Sequence, residues 1–327
     1  MDFLISMLFT SLLVSILDVT TSKSIEQIDL SHYGPRLFGN PSKDVGAAVE
    51  HWNENQSGNP EELGSYLEGD ILFPRGNARN GLITETSRWP NGVIPFEIVG
   101  DFDARQMDLL EKAINSYHDN TCLKFVPKDT TNKDYISIQS SDSGCWSSVG
   151  RIGGRQVVNL QRNGCLTTIG TVIHELMHAS GFTHEQNREE RDDFVKILQQ
   201  NIKADYANNF EKAPAGTTSG FGTTYDFTSV MHYSDHAFSS NGQPTIVSKK
   251  QFDGKMGQRD GFSKMDIEKI NKMYKCSSTT TSSGYKPQVS VSSQSISGGI
   301  EDILSMIIPI HDKPHQMSNG YKKKSIL

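Results

Sequence analysis

The sequence predicts an α+β fold. Three observations carry that prediction. Period-two and helical patterns mix between Arg88 and Leu160, and a helix bearing His174 and His178 follows. The later chain is largely irregular up to one amphipathic helix ending at Cys276. In chain order, VIPFEI (Val93 to Ile98) reads as a strand. Asp101 and Asp103 are cap candidates for a helix with Met107, Leu110, Ile114 and Tyr117 on one face. YISIQ (Tyr135 to Gln139) and QVVNL (Gln156 to Leu160) alternate as strands do. Thr168 to Ser180 reads as a helix. So does Asp192 to about Ala207, with Asp192 and Asp193 suited to its N-terminus. Ser263 and Asp266 make a capping box for the last helix, through Ile267, Ile270 and Tyr274.

The ends differ from the middle. Phe3 to Leu17 is mostly apolar and spans about 22 Å as a helix, short of the ~30 Å hydrocarbon core. Small residues from Val19 to Ser22 suit a cleavage site. Residues 1–22 therefore read as a secretory signal peptide, although Asp2 stands where a basic residue is usual. Secretion places the four cysteines where disulfides persist, and four cysteines allow three pairings. Residues 23–79 carry five Lys/Arg against nine Asp/Glu and little periodicity, a poor basis for a core of their own. Residues 277–327 open on Ser- and Thr-rich sequence and read as a disordered tail. A net charge of −6 weighs against a nucleic-acid partner, and no apolar run is long enough for a membrane span. Asn55, in N-Q-S, is a glycosylation candidate.

The chemistry concentrates in HELMHASGFTHEQ, His174 to Gln186. His174 and His178 stand at i and i+4, so both imidazoles leave one helix face, as two ligands of one metal require. Glu175 sits beside them, where a carboxylate can take the proton of an attacking water. Gly181 ends the helix in the left-handed conformation that glycine adopts without strain, and the turn brings back His184 as a third ligand. Three imidazoles with one open position mark a catalytic zinc rather than a structural one. SVMHY (Ser229 to Tyr233) supplies a methionine turn of the kind that lies beneath such a site in metzincins.

His174 to Asp192 together with SVMHY resembles the astacin family of zinc metalloendopeptidases. RWPNGVIPF (Arg88 to Phe96), SGCWSSVGRIGG (Ser143 to Gly154) and the closing GQRDGFSKMDIEKINKMYKC extend the resemblance over residues 80–276. Glu190 stands where the family usually has Asp, and Phe194 where Tyr is usual. The resemblance implies a metzincin-like α+β catalytic domain of two subdomains flanking a cleft. A mixed twisted sheet and helices would form its N-terminal half, and irregular chain with a terminal helix its C-terminal half. It implies one Zn2+ per chain on His174, His178 and His184, Glu175 as general base, and Tyr233 as a fifth ligand that swings away. It also implies Cys122–Cys276 and Cys145–Cys165 bridges. Trp146 to Arg151 is a candidate edge strand for substrate backbone. His118 is expected to be solvated, and His232 and His236 to be structural.

YLEGDILFP (Tyr66 to Pro74) resembles the FxGD segment of astacin pro-peptides, with Leu67 in place of Phe. Residues 23–79 then read as an inhibitory pro-peptide in which Asp70 reaches the zinc. An activating trypsin-like protease would cut between Arg79 and Asn80, and the new ammonium would lie near Glu185. The implied activity is that of a secreted, extracellular endopeptidase acting on protein or peptide substrates. The competing class is an inactive relative serving as a binding module, against which the intact Glu175 and histidines count.

Overall fold

The computed structural model describes residues 30–75, 87–217 and 220–277. The expected signal peptide, the Arg79–Asn80 bond and the tail beyond Ser277 lie outside the described residues. Among the described residues, no helix is long and apolar enough to cross a membrane.

The leading segment, residues 30–75, holds strand β1 (Phe38–Gly39), helix α1 (Lys43–Glu50) and strand β2 (Phe73–Pro74), which pairs parallel with β1. Ser42 caps α1 by accepting the Val45 N–H. Its apolar side chains do not form a separate core. Leu30, Tyr33, Leu37, Val45, Val49 and Ile71 are buried in one cluster with the sheet and helices that follow. A weakly periodic, acidic segment is thus ordered by surface that the rest of the chain provides.

Strand β3 (Val93–Ile98) leads to helix α2 (Ala104–Asn120), where Asp103 rather than Asp101 caps and Gln106 completes the box. Strands β4 (Lys124–Pro127), β5 (Tyr135–Gln139), β6 (Cys145–Ser147) and β7 (Arg155–Leu160) complete a five-stranded sheet. Its order is β4-β3-β5-β7-β6, parallel except for the edge strand β6. Helix α3 (Ile169–Ala179) is joined to α2 through the Tyr117 hydroxyl, which donates to the Ile173 carbonyl at 2.8 Å.

A second, smaller core gathers Val195, Ile202, Phe210, Tyr225, Phe238 and Ile246. Here the expected helix from Asp192 to Ala207 does not form. Single 3-10 turns (Arg191–Asp193, Gln199–Asn201) flank strand β8 (Val195–Ile197), which pairs antiparallel with β9 (Ile246–Ser248), and a longer 3-10 stretch covers Ala204–Phe210. Tertiary pairing decides against the helix: β-branched Val195 and Ile197 find a partner strand about fifty residues away, which a local pattern cannot reveal. Asp192 pairs with Arg191 and Lys212 instead of capping a helix. Helix α4 (Lys264–Met273) carries the expected Ser263–Asp266 box.

His118 also departs from expectation. It is half-buried, and its Nε2 accepts the Phe125 N–H at 2.9 Å. The chain contains Cys122–Cys276 and Cys145–Cys165 disulfides. The first ties the end of α4 to the turn after α2. The second ties the edge strand to the loop before α3. By loop-closure entropy they contribute about 4–5 and about 3 kcal/mol.

Candidate metal centre and active site

Helix α3 presents His174 and His178 on one face, and its C-terminus decides where His184 falls. Gly181 has φ 113°; its N–H donates to the His178 carbonyl, and the Phe182 N–H to that of Met177. This Schellman closure turns the chain within three residues. The three imidazoles then lie with ring centroids 4.7 to 5.2 Å apart, all buried.

Asp70, from the leading segment, reaches into their centre. Its Oδ2 lies 3.0 Å from His174 Nε2 and 3.3 Å from His184 Nε2, and its Oδ1 lies 3.3 Å from His178 Nε2. Four ligand atoms thus sit within 4.8 Å of one another. Asp70 Oδ1, His178 Nε2 and His184 Nε2 have no hydrogen-bond partner among the described residues. The opposite ring nitrogens are all engaged. His174 Nδ1 meets the Val230 carbonyl, His178 Nδ1 the Phe182 carbonyl and His184 Nδ1 the Glu68 carboxylate, each at 2.7 Å. Each Nε2 is therefore aimed inward, as a metal-binding imidazole needs. Two donors on one tetrahedral zinc lie roughly 3.4 Å apart, which these separations match. Burial pushes the His184 imidazole down, but Asp70 and Glu68 outweigh it and raise it to about 9. Burial and then Arg259 instead push the His174 imidazole down to about 4, so a positive charge is favoured at His184 and not at His174. These residues fit zinc.

The platform beneath is the turn at Ser229–Tyr233. The Asp266 carboxylate at the start of α4 accepts from the Ser229 hydroxyl at 2.6 Å and the Val230 N–H at 2.8 Å. Buried Met231 accepts the Glu185 N–H through its carbonyl, and the Tyr233 N–H donates to Gln186. Tyr233 lies against His184, and its hydroxyl donates to the Glu68 carbonyl at 2.5 Å. Both Glu175 oxygens are buried without a hydrogen-bond partner among the described residues. Burial, then Asp70 and Glu61, push its carboxyl well above the usual range.

The leading segment reaches the site along the sheet edge. Ile71 bridges Ser147 of β6 in parallel register, the Leu72 N–H donates to Ser147 and the Ser147 N–H to Asp70. Gly69, with φ 89°, passes so close that a Cβ would lie 2.9 Å from the Phe238 ring. Glu61 pairs with Arg259, and Glu62 accepts from the Ser234 N–H and hydroxyl. Glu62 also closes a local capping box with Asn59, but the contacts that anchor the segment, to Ser234 and Arg259, lie more than 170 residues away.

Glu185 faces a partner that no sequence pattern announces. Lys269 of α4 pairs with it at 2.8 Å, Arg188 pairs at 2.8 Å, and the Asp226 N–H donates at 2.9 Å. The carboxylate expected beside a new ammonium is already fully engaged in this state. His232 is buried between Tyr225 and its own turn, and burial pushes it down to about 4, a structural role. His236 is half-buried against Asp235. Asn55 is exposed on a turn of the leading segment.

A buried three-histidine cluster above a methionine turn, with two of its histidines on a helix backing a mixed sheet, defines a metzincin-type peptidase fold. Residues 81–275 match the peptidase family described as Astacin, and the chain belongs to the astacin family of zinc peptidases. It is 39% identical to zinc metalloproteinase nas-4 of Caenorhabditis elegans over 244 residues, covering 72% of this chain and 76% of that protein. It is 42% identical to nas-7 of the same organism over 217 residues, 66% of this chain and 56% of that protein. This chain thus spans three quarters of one relative's length and just over half of the other's. Among solved structures, it resembles the hatching enzyme zinc-protease high choriolytic enzyme 1 of Oryzias latipes. The TM-score is 0.54 and the identity 37%, over 60% of this chain and all of that one.

The Glu185–Lys269 pair yields a stability prediction with a definite pH sign. Burial pushes the Glu185 carboxyl up, but Lys269 and then Arg188 outweigh it and hold the carboxyl below its usual 4.5. A carboxylate lowered by folding adds stability that is present above 4.5 and lost as the pH falls through its folded value. Lys269→Met should cost about 3 kcal/mol in urea unfolding at pH 7. The gap to wild type should shrink below pH 4.5. A gap that is absent at neutral pH, or constant with pH, would remove the pair from the stability account.

Proposed function

We propose that this chain is a secreted zinc-dependent endopeptidase, made as a zymogen, that hydrolyses internal peptide bonds of extracellular proteins. The observation that carries the reading is Asp70: a leading-segment carboxylate occupies the middle of the His174–His178–His184 cluster, near enough for its charge to act on Glu175 and Tyr233.

His174, His178 and His184 hold the metal, with Asp70 as a further ligand while the leading segment is in place. Zinc, when bound, supplies a Lewis acid that polarises the scissile carbonyl and acidifies water. Glu175 takes a proton from the attacking water and returns it to the leaving amine. The Tyr233 hydroxyl, no longer engaged by Glu68 once the segment departs, donates to the oxyanion that develops on the substrate carbonyl. Met231 supports the site by packing. The edge strand β6, now paired with residues 70–72, offers the same main-chain groups to a substrate.

A trypsin-like protease cutting between Arg79 and Asn80 would separate residues 23–79 from the catalytic domain, residues 80–276. The glycan candidate Asn55 would leave with the segment. A buried Glu175 with no hydrogen-bond partner among the described residues, and the inward-facing imidazoles, support these assignments.

Two variants test the assignment. Glu175→Ala, after trypsin treatment, should keep about one zinc per chain and lose casein hydrolysis by roughly 10²–10⁴-fold or more. Full activity in that variant would refute the base role. The uncut Asp70→Ala chain should cleave casein before any trypsin is added, while the uncut wild type stays inert. An equally silent variant would mean that the segment inhibits by cover alone.

A further inference from the structure

We propose that Glu68 is a positioning residue for the metal: its carboxylate fixes the His184 imidazole, so the leading segment supplies part of the metal's support as well as a ligand to it. The inference rests on the zinc reading of the three histidines, and it concerns a residue with no sequence signal of its own. His174 and His178 are each oriented from within the catalytic chain, by the Val230 and Phe182 carbonyls. His184 differs. Its Nδ1 partner is Glu68 Oε2 at 2.7 Å, a side chain 116 residues earlier and part of the leading segment.

Glu68 is itself held at its carboxylate and at its carbonyl. The Tyr33 hydroxyl donates to its Oε1. The Tyr233 hydroxyl donates to its carbonyl at 2.5 Å. Its backbone has φ 49°, a left-handed conformation uncommon outside glycine and a sign of a constrained position. The residue is buried. A carboxylate that accepts the Nδ1–H of a metal-bound imidazole fixes its tautomer and ring plane and makes Nε2 a stronger donor to the metal. The charge also matters: with Asp70, Glu68 adds a second buried carboxylate to a site built to hold a dication.

The test measures zinc affinity of the uncut full chain by competition with a chelator of known zinc affinity. Glu68→Ala should weaken zinc binding about 10–100-fold relative to wild type, and Glu68→Gln, near in shape and still an acceptor, should fall between. Glu61→Gln loosens the same segment at Arg259 without touching a histidine, and it should stay within about twofold of wild type. Wild-type affinity in both Glu68 variants would overturn the role of Glu68 and leave the zinc reading standing. An equal loss in Glu61→Gln would mean that segment docking alone matters, which also overturns it. A wild-type chain that takes up no zinc would overturn the zinc reading together with this one.

Discussion

A carboxylate taken out of water costs several kcal/mol unless positive charge and hydrogen bonds replace its solvent. Asp70 is such a carboxylate, buried among three imidazoles at 3.0 to 3.3 Å. In the function proposed above, zinc offsets that cost, and the surrounding structure places that one side chain. Gly69 lets the backbone pass under Phe238, and the β6 edge fixes the strand before and after Asp70. Glu61 on Arg259 and Glu62 on Ser234 anchor the same segment upstream. The metal centre and the leading segment are therefore energetically one unit.

In the proposed zymogen, the same coupling governs switching. The leading segment shares its apolar core with the sheet, through Leu30, Leu37, Val49 and Ile71. While covalently attached, it binds at an effective concentration of roughly millimolar order. A cut between the segment and the catalytic domain removes that advantage and leaves docking to the contacts alone. The platform that remains has its own supports. The Schellman turn at Gly181, the Asp266 bonds to the methionine turn and the Glu185–Lys269 pair all lie after residue 80. None of them includes a residue of the leading segment.

Local chemistry is legible in the sequence where the causes are local. His174, His178, Gly181 and His184 announce their geometry because helix periodicity and a glycine cap are short-range facts. The Ser263–Asp266 box and the strand at Val93–Ile98 are read the same way. The stretch from Asp192 to Ala207 misleads because its strand pairs with residues 246–248, outside any local window. Glu68, Glu61 and Lys269 escape for a related reason. Each is an ordinary charged residue until the fold supplies His184, Arg259 or Glu185 across 84 to 198 positions. Family resemblance points Asp70 at the zinc and its three histidines; it does not name Glu61, Glu62 or Glu68, which hold the same segment in place.

The most direct test of the account is X-ray absorption at the zinc edge, on the uncut chain and again after the leading segment is removed. The uncut chain should show nitrogen and oxygen scatterers only, with three imidazoles and one protein carboxylate. Asp70→Ala should lose the carboxylate while keeping the three imidazoles. After removal of the segment, the wild-type spectrum should match a three-imidazole site without Asp70. Fewer than three imidazoles, a sulfur scatterer, or a spectrum indifferent to Asp70 would contradict the claim that this carboxylate closes the metal centre.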